Sequence, residues 1–61
     1  PAIDKKYELF LEGLEPPVKR WLQESCDNYG ELHDVMVASL EEAEKLNEPL
    51  SIELIKTVLG I

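Results

Sequence analysis

Cysteine, histidine, methionine and tryptophan each occur only once in this chain, and each scarcity closes off a class of chemistry. With Cys26 alone, no disulfide forms within the chain. Cys26 and His33 together fall short of the roughly four Cys/His-type ligands of a structural zinc site, so no metal and no cofactor is expected. The longest unbroken apolar run is Val35 to Ala38, far below the roughly 18 residues that mark a membrane-spanning helix. No basic stretch followed by an apolar segment and a small-residue cleavage site is found, and the single thiol suits a reducing compartment. A cytoplasmic location, away from membranes, is the expectation. Cations are few as well, 6 against 13 acidic residues, for a net charge of −7. That balance disfavours direct binding to nucleic acid or to an anionic membrane and permits a basic partner, although a solvated acidic surface is the simpler account of it.

Strand signals are missing too. No useful stretch alternates apolar and polar residues, and no Asn-Gly or Asp-Gly turn occurs. What is present is helical punctuation. Gly13, Gly30 and Gly60 each follow an apolar-periodic stretch, while Pro16, Pro17 and Pro49 each precede one. Proline at a helix start and glycine just past its end is the expected asymmetry.

Four helices follow from this reading. The first runs from about Asp4, its N-cap, to Glu12, with Ile3, Tyr7, Phe10 and Leu14 on one stripe. The second runs from about Pro17 to Asn28, with Val18, Leu22, Ser25 and Tyr29 on its apolar face and Trp21 and Cys26 at the edges. The third, from about Glu31 to Leu46, carries Leu32, Val35, Met36, Ser39, Leu40, Ala43 and Leu46; Asn28 with Glu31 is a candidate capping box. The fourth runs from about Ser51, as N-cap, to Leu59, with apolar residues over roughly half its circumference. Residues 1–61 are thus expected to form one all-α domain, a small compact bundle of about four short helices. Its second and third helices form the main hairpin, and its packing is irregular and orthogonal, because the end helices are too short for a regular up-down bundle.

No motif specifies a reaction. Cys26 lies at the edge of a core stripe, where it reads as a small buried hydrophobe, and His33 lies on a helix flank. Glu41, Glu42 and Glu44 fan around their helix axis rather than converging. Neither phosphate-binding glycine pattern is present. If the second and third helices formed a helix–turn–helix, Glu31, His33 and Asp34 would face phosphates, the wrong charge for that task. The protein is therefore expected not to be an enzyme.

The remaining signal is apolar surface. A chain of 61 residues buries only roughly 60% of what its unfolded form exposes, so such domains often gain stability by association. Leu9 and Val37 fall off their stripes, Trp21 sits at a stripe edge beside Arg20, and the last helix is apolar over a wide arc through Ile52, Leu54, Ile55 and Leu59. These eight residues are the expected protein interface. The expected function is that of an interaction module, an assembly, adaptor or inhibitory subunit acting as a homo-oligomer or on a larger protein. The alternative is a nucleic-acid-related role, as an acidic DNA mimic in a basic site or as a subunit of a DNA-binding oligomer.

Overall fold

The computed structural model describes residues 7–61. Four α-helices occur among them: α1 (Glu8–Gly13), α2 (Pro16–Ser25), α3 (Leu32–Lys45) and α4 (Pro49–Leu59). A 3-10 turn, Cys26–Asn28, extends α2. No described residue is in a strand, and the all-α reading holds. The expected start at Asp4 and the stripe residue Ile3 lie outside the described residues.

Prolines set the helix starts. Pro16 and Pro17 open α2, and Pro49 opens α4. Each spares a backbone N–H that would have had no acceptor in the first turn, and each fixes φ at a helical value. Pro49 therefore begins α4 two residues before the expected start, which makes Glu48 the N-cap and places Ser51 inside the first turn. The capping box at the start of α3 does not form: Glu31 is the N-cap without a side-chain cap bond, and Asn28 belongs to the 3-10 turn.

Two of the helix ends close on a left-handed residue, one an asparagine and one a glycine. At the end of α3, Asn47 takes φ 55°. Its N–H donates to the Glu44 carbonyl at 3.2 Å, and the Glu48 N–H donates to the Ala43 carbonyl at 3.0 Å. Gly60 repeats the arrangement at φ 77°, with its N–H on the Thr57 carbonyl at 3.2 Å and the Ile61 N–H on the Lys56 carbonyl at 3.0 Å. This pair of bonds satisfies carbonyls that a helix end otherwise leaves open, and it needs a left-handed residue. Gly13 and Gly30 do not adopt that conformation, so the cap role read for them from sequence does not hold.

The core is one cluster of Phe10, Leu14, Val18, Leu22, Cys26, Val35, Met36, Ala43 and Ile55. The principal helix pair is α3 with α4 rather than α2 with α3. The physical reason is the wide apolar arc of α4. It buries Ile55 completely and packs Ile52, Leu54 and Leu59 against the core, whereas α2 contributes a narrow face through Val18 and Leu22. Leu46, expected on the α3 stripe, is 44% exposed, because α3 ends one residue earlier and the chain there turns into α4.

Candidate interaction surface

Three contacts give the course of α1 along α4. Tyr7 lines a cleft with Val58 and Leu59. Gly13, at the other end of α1, lies so close to Leu54 that a Cβ built on it would stand 2.7 Å from Leu54 Cδ2. Beyond Gly13, the Glu15 N–H donates to Ser51 Oγ at 2.9 Å. Rising residue numbers on one side meet falling numbers on the other, so the segment from Tyr7 to Glu15 runs antiparallel to α4. The missing side chain of Gly13 is what allows this close approach.

Leu9 stands one turn before Gly13, the α1 residue that lies against Leu54. Leu50, Leu54 and Val58 follow one another at steps of four on α4, forming a line along its outer edge. Leu9 is 80% exposed, Leu50 66% and Val58 37%, Leu54 is half-buried, and Ile61 beyond the cap is 76% exposed. Large aliphatic side chains thus form a strip along the α1–α4 seam. Exposed carboxylates border it, Glu8 and Glu12 on α1 and Glu53 on α4. The described cations stand elsewhere: Lys19 and Arg20 on α2, Lys45 at the end of α3, and Lys56 on the far side of α4 from Leu54, at 100° per residue.

Where α1 runs into α2, a polar joint is buried. Ser51 is fully buried and Glu48 is 7% exposed. The Ser51 hydroxyl accepts the Glu15 N–H, lies 3.0 Å from Glu48 Oε1, to which it donates, and stands 3.3 Å from Glu15 Oε2. Glu48 Oε2 is buried without a hydrogen-bond partner among the described residues. Glu15 and Glu48 are the N-caps of α2 and α4, and neither side chain makes a cap hydrogen bond to its own helix. The joint ties the starts of two helices together. Sequence reading missed it, although the repeated Glu-Pro dipeptide at both helix starts was the available signal.

The interface residues expected from sequence separate into groups. Leu9 and Leu54 belong to the strip. Ile55 has no exposed surface and is a core residue, since it lies on the side of α4 turned toward the cluster; its assignment to an interface is corrected. Ile52 and Leu59 are half-buried against the core. Trp21 is half-buried, packs on the core and stands 6.5 Å from Tyr29, while its neighbour Arg20 is exposed. Both lie on α2, whose main helix neighbour is α3, so they stand apart from the strip. Val37 is exposed on α3. Leu50, Val58 and Ile61 are strip residues that sequence reading did not single out as exposed.

Groups with reactive potential do not converge. Cys26 is buried, with its thiol 3.7 Å from the Gln23 carbonyl and 3.9 Å from Asp27 Oδ1. His33 is exposed at the rim of the cleft of about 150 Å³ that Tyr7, Leu32, Met36, Val58 and Leu59 complete. Glu41 and Glu44 are exposed, and Glu42 pairs with Lys45 at 3.7 Å, a surface contact of small energetic weight. Among the described residues no group of three or more His, Cys, Asp or Glu side chains is placed to hold a metal, and no helix is long and apolar enough to cross a membrane. Comparison with known proteins finds no matching family model, no matching curated protein and no matching solved structure.

Proposed function

We propose that this chain is a non-enzymatic interaction module that docks through the α1–α4 strip. The observation that carries the reading is the alignment of Leu50, Leu54 and Val58 on α4 with Leu9 on α1, all at least half-exposed or at the solvent boundary. Burying a leucine fully contributes about 1.5–3 kcal/mol. The folded chain leaves most of that unrealised at Leu9 and Leu50, while its core closes without them around Leu22, Met36 and Ile55. Scattered exposed apolar residues are ordinary, but several in register along one seam form the kind of patch that partners cover. Trp21 and Arg20 drop out of the docking surface on this reading, and helix α4 keeps its place in it.

The test compares the Leu9→Ser/Leu50→Ser double variant with Val37→Ser, an exposed substitution away from the seam. Association, either between copies by sedimentation velocity or with a co-purifying protein by native mass spectrometry, is lost in the first and kept in the second. Equal association in both variants sinks the proposal.

A further inference from the structure

Resting on the docking reading above, we infer that the occupant of the α1–α4 strip is a cationic amphipathic helix of another protein. Shape supplies the first argument. The anchors Leu50, Leu54 and Val58 recur at steps of four along α4, a line of about 12 Å, or a little over two turns. A single helix laid along that line presents its own anchors at i, i+4 and i+7, the usual register of helix-in-groove recognition. α1 approaches α4 closely at Gly13, and Leu9, one turn earlier on α1, is exposed.

Charge selects the kind of helix. Glu8, Glu12 and Glu53 border the strip and are exposed, and none of the described lysines or arginines lies on its margin. A second copy of the chain would bring the same carboxylates against each other, with −7 on each partner. Nucleic acids and anionic lipid surfaces meet the same repulsion. A helix with leucine-like anchors flanked by Lys or Arg satisfies both the apolar line and its acidic margins, and the like-charge repulsion excludes acidic competitors.

The probe is a labelled 18-residue helical peptide with Leu at positions i, i+4, i+7 and i+11 and Lys beside them. Two controls replace every Lys by Gln or by Glu. Fluorescence anisotropy with the full chain is expected to show the Lys peptide binding at least about tenfold more tightly than the Gln peptide, with the Glu peptide weaker still. Neutralising the margin as Glu8→Gln/Glu12→Gln/Glu53→Gln weakens the Lys peptide about tenfold, as does raising salt from about 50 to about 500 mM. Leu9→Ser/Leu50→Ser abolishes binding while the circular dichroism spectrum is unchanged. Undiminished Lys-peptide binding to that double variant overturns the inference, because charge alone then explains it. A Gln peptide that binds as tightly as the Lys peptide, or self-association lost in the double variant, overturns the cationic partner but leaves the strip as a docking surface. Failure of all three peptides together with an absence of self-association overturns the inference and the docking reading alike.

Discussion

Helix α4 carries opposite arrangements of polarity on its two sides. At its inner, N-terminal end, Ser51 and Glu48 are polar groups held out of water. On its outer edge, Leu50 and Val58 are apolar groups held in it. The joint is there for the fold. Its hydroxyl and carboxylate hold the starts of α2 and α4 together, and any group left stranded there costs stability at once. The most exposed side chains of the strip are not needed for the fold, since the core is closed without Leu9 and Leu50. Side chains whose loss hurts folding thus sit on one side of this helix, and side chains available for association sit on the other.

Substitutions on both sides of the helix probe that contrast. The largest effect is expected from Ser51→Ala, which leaves the Glu15 N–H without its acceptor and Glu48 without its donor; denaturant melts should show a loss of about 2–4 kcal/mol. A loss below about 1 kcal/mol would mean that the joint contributes little. Next comes Gly13→Val. Its Cβ meets Leu54 Cδ2 at 2.7 Å and its branch meets the same crowded seam, for an expected loss of about 1–3 kcal/mol. Gly13→Ala should be milder, because the end of the Leu54 side chain can shift.

A double-mutant cycle sharpens the first comparison. In a Glu48→Met background the stranded carboxylate is gone, and Ser51→Ala should then cost about 1 kcal/mol less than it does in the native chain. Equal costs in the two backgrounds would assign the effect to the Glu15 N–H alone. The smallest stability change is expected for Leu50→Ser, within about 0.5 kcal/mol, because the side chain is mostly in water already. A drop of 2 kcal/mol or more in the melt, against the roughly neutral expectation for surface sites, would show that the strip belongs to the core.

Much of the fold was legible because helices advertise their ends locally. Pro16, Pro17 and Pro49 act within one or two residues of themselves, and Gly60 takes the left-handed turn its position called for. Asn47 does the same task at the end of α3, yet between Leu46 and Glu48 nothing but its own tolerance of positive φ marks it. Gly13 looked like a cap and serves instead as a gap for Leu54, a role set by a residue 41 positions away. The expected Ser51 cap failed for a related reason. Pro49 had already started the helix, and a first-turn serine then turned inward to meet Glu15, 36 residues distant.

The strip was half legible. Leu9 stood out because it broke a stripe, and α4 stood out because its apolar arc was too wide for one neighbour. Leu54 and Ile55 were indistinguishable in sequence, yet Ile55 is fully buried and Leu54 lies at the boundary. Taken by itself, the sequence determined the helical class, the proline-set starts of α2 and α4 and the acidic surface, because period, ring closure and charge act over a few residues. Which part of the α4 arc is covered, which glycine is a cap and which carboxylate is buried were decided only in the tertiary structure. A period of 3.6 residues specifies a face, whereas the neighbour that covers it is set by how distant segments pack.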